Sequence, residues 1–232
     1  IGDRIVFNNK LEADIIGTVP GSPLHEIRFH ANEEVVLDYI MKHGEPVRYE
    51  YTDKPWGLDF YQTVFASVPG SVEMPSAGRA FSWELLIRLQ RKGVKLAFLQ
   101  LHTGLSYTTE EFWPPSPKSN PEWYYVPEQT LDTIHETKAA GKKVIAVGTT
   151  VVRALETVAQ TNERTGITDL YIGPGHHVKM ADGILTGFHE PEASHLDLLS
   201  CFIRAEKLLE SYQTAISSGY LWHEFGEMNL IL

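Results

Sequence analysis

The 232 residues are 43% apolar and 22% charged, the balance of an ordinary folded protein with room for one large domain, or a medium one and a small companion. A formal net charge of −10 excludes the broad phosphate-neutralising surface of a non-specific nucleic-acid binder, so any partner is small or gripped over a small area. No apolar run approaches the ~20 residues of a membrane span, and the single cysteine, Cys201, excludes an internal disulfide framework and fits a reducing cytoplasm.

The chain opens on Ile1 rather than Met, which points to trimming at the N-terminus, and no charged stretch leads into an apolar signal region. Residues 3–9, DRIVFNN, read as a buried strand, and 25–31, HEIRFHA, alternate enough for another, with the Pro- and Gly-containing 19–23 as the turn between them. Apolar positions at 35, 36, 39 and 40 predict a short helix closed by Gly44. Ser82 caps a helix over 83–92 that Gly93 stops, and the apolar 94–101, VKLAFLQL, follows as a strand. Four prolines and three aromatic rings in 111–123, EFWPPSPKSNPEW, predict a loop. Pro127 opens a helix over 128–140 that Gly141 ends; a strand over 142–147 comes next, and a helix over 149–160 starts straight off it. Residues 168–172 and 183–188 are two more short strands. Ser194 starts one long helix to about Ser217, Gly219 terminates it, and 220–225 and 228–232 close the chain as strands. Alternating strands and helices give an α/β class, with a mixed, partly parallel sheet flanked by helices.

Three polar groups fall at or just past the carboxyl ends of predicted strands: His102-Thr103-Gly104, Gly148-Thr149-Thr150 with Arg153 one turn on, and His189-Glu190. Ligands of open α/β sheets bind at those ends. A glycine and two hydroxyl residues at a helix start offer free amides and side-chain donors to an anion or carboxylate, although threonines there also serve simply as caps. The stretch HEPEASHLDLL, 189–199, is rich in histidine and acid, but His189 and His195 are six apart, about 240° round a helix, and Pro191 breaks a helix between them. No metal site follows from that spacing. Asp197, three residues after Ser194, reads as part of a helix start, His195 as first-turn surface, and Cys201 as a buried structural thiol.

Several motifs carry a resemblance. YQTVFASVPGSVEMPSAG (61–78), LHTGL (101–105), KKVIAVGTTVVRALE (142–156), TDLYIGPG (168–175), ADGILTGFHEPEAS (181–194) and GEMNLIL (226–232) together resemble the S-adenosylmethionine:tRNA ribosyltransferase-isomerase family of queuosine biosynthesis. The match runs nearly continuously from about Tyr61 to Leu232, with GDRIVFNN (2–9) fitting near the start. The resemblance implies an α/β catalytic domain, here 1–8 and 51–232, and a small β-rich insert, here reduced to 9–50. It implies S-adenosylmethionine as a ribosyl donor and co-substrate, no metal, and as acceptor a 7-aminomethyl-7-deazaguanine base in tRNA. The products would be epoxyqueuosine-tRNA, adenine and methionine.

The sulfonium acidifies the neighbouring ribose C5′ protons, so such a site needs a base, a holder for the methionine carboxylate and a donor for departing adenine. By motif match His102, His189 and Glu122 take the catalytic positions. Tyr61, Gln62, Ser76 and Gly78 would meet the nucleoside, Thr149, Thr150 and Arg153 a carboxylate or phosphate, and Gly104 and Gly148 line the substrate. A cytoplasmic monomer with no membrane partner is the expectation. The sequence also departs from the family pattern: Ala80 stands where a histidine is usual, PKSNPEW keeps Glu122 without the flanking histidines, and Glu192 replaces a lysine. Reversing that charge turns repulsive a charged hydrogen bond of about 1–3 kcal/mol. With the net charge of −10 it supports the alternatives of a paralogue serving another acceptor, or of a non-catalytic binder.

Overall fold

The computed structural model describes residues 1–8, 10–19, 24–47, 54, 56–105, 121–188, 195–221 and 225–232. Three small sheets organise them. In the first, β1 (Arg4–Phe7) pairs antiparallel with β2 (Leu11–Thr18), and β2 with β3 (His25–Phe29). Strand β1, which the sequence grouped with the α/β part, is thus hydrogen-bonded to the strands of the expected insert. Helix α1 (Glu33–His43) follows. Asn32 caps it by accepting from the Val35 amide, and it buries no residue, so an open groove lined by Ile16, Ile27, Phe29, Val36 and Leu37 remains between helix and sheet.

The remaining two sheets sandwich the chain's central helix. Strands β4 (Gln100–His102), β5 (Glu122–Tyr125) and β7 (Thr165–Thr168) form one, with β5 antiparallel to both neighbours. Strand β6 (Ile145–Val147) runs parallel to β8 (Gly183–Gly187), which pairs antiparallel with β9 (Met228–Ile231). The mixed, partly parallel α/β architecture expected from the element order is the one observed. Helix α2 (Trp83–Arg91) starts at Ser82, whose hydroxyl accepts from Leu85, and α3 (Glu128–Ala139) starts after Pro127.

Helix α4 (Thr149–Thr161) is where the two sheets meet. Its apolar spacing sends Val152 into a core with Ala146, Ile184, Phe188, Leu199 and Tyr212, while Ala154, Leu155 and Val158 enter a second core with Tyr124, Val126 and Ile134. Asn162 ends it in a left-handed conformation.

Five elements differ from the sequence expectation, four of them for a tertiary reason. The strand over 94–101 survives only as 100–102, the residues that face β5; before it, the Phe98 carbonyl is taken by the Thr130 hydroxyl at 2.6 Å. Glu122 and Trp123, read as the end of a proline-rich loop, instead begin β5, because ladders on both sides satisfy their backbone. The strand expected at 168–172 lies earlier, at 165–168, and the Thr168 hydroxyl accepts from the Leu170 amide to turn the chain out of the ladder. The long final helix breaks into α5 (His195–Leu199) and α6 (Ala205–Ser217). Leu199 on one and Tyr212 on the other reach the same core, which one straight helix would not allow. Past α6, Gly219 adopts positive φ and Tyr220 donates to the Ala215 carbonyl at 3.0 Å, so the expected strand at 220–225 begins as a helix terminus; 222–224 lie outside the described residues.

Among the described residues, no helix is long and apolar enough to cross a membrane.

Candidate functional site

The carboxyl end of β4 and the start of α4 are brought together by one buried side chain. Glu122, at the first position of β5, is 4% exposed and accepts a hydrogen bond from Arg153 Nη1 and, at 3.3 Å, from the Gly104 amide. The Arg153 Nε donates to the Leu170 carbonyl at 3.0 Å, so two bonds fix the guanidinium plane. Burial pushes the Glu122 carboxyl above the ordinary range; the Arg153 charge and the Gly104 amide oppose that shift, and the nearby Glu73 carboxylate adds to it. Here, then, is an ion pair held in a setting that also favours a proton on its acid.

A second strap crosses the same place. Residues 70–73 lie over the end of β4: Ser71 and Thr103 hydroxyls are 2.7 Å apart, the Val72 amide donates to the Thr103 carbonyl at 2.9 Å, and the Glu73 amide to its hydroxyl at 3.2 Å. The His102 ring stacks on Trp123, with centroids 5.1 Å apart and planes at 25°. Close to the ring is also Gly70, at φ +138°, where a Cβ would stand 2.7 Å from Nδ1. Only a glycine allows the backbone to approach the imidazole so closely.

The strap continues into the 3₁₀ turn Ser76–Ala80, which packs against β8. Ala77 is buried beside Gly148, the residue that opens α4 at φ +97° and carries no side-chain cap bond. A Cβ built on Gly148 would meet only Thr150 Oγ1 at 3.4 Å and Ala77 at 3.7 Å. Gly148, lacking a side chain, leaves the first amides of α4 without a side-chain cap from the N-cap position. Partly buried Thr149 and Thr150 stand at a helix start open to a carboxylate or phosphate.

The structure brings His102, Gly104, Glu122, Arg153 and Gly148 into one neighbourhood through the Glu122–Arg153 pair and the 70–78 strap. It uses Arg153 on a protein carboxylate, where the sequence reading offered it to a ligand. Gly78 is accounted for by packing: a Cβ there would lie 3.0 Å from the Phe65 ring. Tyr61 is buried against Phe225, their rings edge to face at 5.2 Å, and Gln62 next to it is exposed. Ser76 opens the 3₁₀ turn, and Ala80, in the place of a family histidine, closes it exposed. His189 and Glu192 lie outside the described residues.

Sequence reasoning missed two participants. Glu73 sits within electrostatic reach of Glu122, and its signal in the sequence is the acid within SVEMPSAG. His195, read as first-turn surface, is partly buried, and its pKa falls to about 4, through desolvation first and the Arg153 charge second. Nothing local signals that, because Arg153 is 42 positions earlier in the chain. Farther along α5, Asp197 accepts from the Tyr171 hydroxyl, and Cys201 Sγ donates to the Gly173 carbonyl at 3.2 Å, which matches a structural thiol. Among the described residues, no group of three or more His, Cys, Asp or Glu could hold a metal ion.

Comparison with known proteins shows the family. The queuosine biosynthesis protein family matches residues 1–231. The S-adenosylmethionine:tRNA ribosyltransferase-isomerase of Thermoanaerobacter sp. (strain X514) is 37% identical over 241 residues, covering 100% of this chain and 70% of that protein. The protein of the same name from Thermosynechococcus vestitus is 41% identical over 206 residues, covering 84% of this chain and 56% of its own length. The crystal structure of the S-adenosylmethionine tRNA ribosyltransferase from Thermotoga maritima superposes with a TM-score of 0.58 at 28% identity, across 100% of this chain and 65% of that one. The chain thus spans between 56% and 70% of these three proteins.

Proposed function

Since the chain belongs to the queuosine biosynthesis protein family, we propose that it transfers and isomerises the ribosyl group of S-adenosylmethionine onto 7-aminomethyl-7-deazaguanine in tRNA, releasing adenine and methionine. The observation that carries this reading is the convergence of the β4 end and the α4 start on one buried Glu122–Arg153 pair, roofed by the 70–78 strap. The residues fit the donor: the start of α4, opened by Gly148, suits a methionine carboxylate, and Glu73 adds negative potential toward a sulfonium.

S-adenosylmethionine supplies an acidified C5′ position; the chain supplies the proton handling and the fixed charges. His102, stacked on Trp123 with the Gly70 backbone close by, has its imidazole held in place, which is what a base needs at the moment of transfer. His189 is the second proton-transfer residue of the reading. Glu122 holds Arg153 in place and, with its raised pKa, can itself take a proton. Thr149, Thr150 and Gly148 hold the carboxylate, and Tyr61, Gln62 and Ser76 flank the nucleoside. The enzyme acts as a monomer in the cytoplasm, without a metal.

The test is incubation with S-adenosylmethionine, with and without tRNA bearing the deazaguanine base, assaying adenine and methionine. Release that depends on that tRNA supports the reaction. Donor binding by calorimetry without release would move the assignment to a paralogue with another acceptor, the reading favoured by the net charge of −10.

A further inference from the structure

We infer that the ring cluster Trp56–Phe60–Tyr61–Phe225, with Lys54 and Arg79 over its faces, is a stacking platform for unpaired bases of an RNA. The inference rests on the proposed tRNA acceptor and adds where that acceptor is gripped.

The rings form a chain rather than a core. Tyr61, buried, meets Phe225 edge to face at 5.2 Å; Trp56 lies 5.7 Å from Phe225 and 4.7 Å from Phe60. Packing accounts for the inner two. It does not account for the outer end, where Phe60 is 54% exposed, or for the cations: Lys54 Nζ is 4.1 Å from the Trp56 centroid and Arg79 Cζ 4.7 Å from that of Phe225. An exposed ring, Phe60, ending a row of partly buried rings flanked by Lys and Arg is chemistry that suits single strands, where bases stack on aromatic faces and cations meet the backbone.

Charge makes the choice of partner. At −10 the chain cannot hold RNA by spreading phosphates over a basic surface, whereas stacking is indifferent to net charge. The exposed Asp59 at the rim would repel a phosphate there, so a base face rather than backbone approaches Phe60.

Position makes the platform useful. Arg79 belongs to the 3₁₀ turn that packs on β8 and touches Gly148. Phe225 precedes Glu227, whose carbonyl accepts from the Phe188 amide, one residue past β8. Both therefore sit at the strand-end rim beside the candidate site.

The experiment uses the full chain, an unmodified anticodon stem–loop RNA, and a fully paired hairpin of equal length as control, read by fluorescence anisotropy across a salt series. We expect Phe60→Ala to weaken stem–loop binding about tenfold, the loss of roughly one stacked base, with S-adenosylmethionine binding by calorimetry unchanged. Phe60→Tyr should retain affinity, and Lys54→Ala should lower the salt slope by about one while leaving stacking intact. Wild-type affinity in both Phe60→Ala and Trp56→Ala, equal binding of loop and duplex, or no RNA binding by the wild type would each overturn the platform; a partner protein would then be the occupant. Adenine release separates the two readings. Release with tRNA but no effect of Phe60→Ala fails the platform alone, and Phe60-dependent binding without release fails the ribosyl transfer alone.

Discussion

The N-terminal sheet and the α4 region solve the same problem, how to hold polar groups, in opposite ways. Over residues 4–43, polar side chains pair at or near the surface, Arg4 with Glu12 at 3.3 Å and His30 with Asp14 at 2.8 Å, while among the described residues only Leu11 and Ala13 are buried and α1 leaves Val35, Ile40 and Met41 in solvent. Around α4 the polar groups are inside. Glu122 meets Arg153; Glu156, 1% exposed, accepts from the Lys179 and Met180 amides and pairs with His176; Thr157 and Thr168 share a bond of 2.6 Å. Surface pairs in high dielectric are worth about 0–1 kcal/mol, whereas a buried charge that loses its partner costs several. The candidate site lies in the region where the polar groups have been taken out of water.

The hardest way to break that contrast is Arg153→Met. It strands Glu122 in the core, and we expect a loss of about 3–5 kcal/mol in urea unfolding, together with loss of turnover. Because the Glu122 carboxyl already has a raised pKa, the variant's deficit should be smaller at pH 5 than at pH 8. Equal deficits at both values would mean that Glu122 is not the stranded group.

Core truncation comes next. Leu155→Ala should cost about 3 kcal/mol, within the usual range for a buried leucine, and Leu11→Ala distinctly less, since the thin N-terminal sheet can close around the gap. A larger loss for Leu11 would reverse the assignment of the main core.

A finer test uses pH. Glu122, with a raised folded pKa, adds stability below the ordinary Glu pKa of about 4.3 that disappears as pH rises through its folded value. His195 has the opposite sign: its unfolded pKa is about 6.5 and its folded one about 4, so stability is lost as pH falls between them. Glu122→Gln should therefore flatten the curve just above pH 4.3, and His195→Gln should flatten the decline from pH 6.5 downward. Unfolding free energies measured from pH 4 to 8 would expose a wrong sign in either. The smallest effect belongs to Asp14→Asn, which should move the melting temperature by no more than the scatter of replicates even though His30 holds the Asp14 carboxyl below its ordinary range. A clear drop would show that the surface network matters more than its exposure allows.

Much of this was legible in the residues alone. Ser82 and Gly93 bracketed α2, Pro127 and Gly141 bracketed α3, and the polar groups at 102–104 and 148–150 were correctly placed at strand ends, because caps, breakers and periodicity act within a few residues. The family, too, was legible in ordered motifs. What local rules could not give was partnership. Glu122 looked like the tail of a proline-rich loop until two ladders made it a strand, and its ion pair joins residues 31 positions apart. The break between α5 and α6, the use of Arg153 on a carboxylate, and the depressed pKa of His195 were likewise decided by segments packing across the fold. The sequence determined the starts and stops of α2 and α3 and which polar groups stand at the ends of β4 and β6. The extent of β4, the formation of β5, the α5–α6 break, and burial with its charge states and pairings came only from the tertiary structure, since ladders and desolvation depend on what distant chain supplies partners and removes the water.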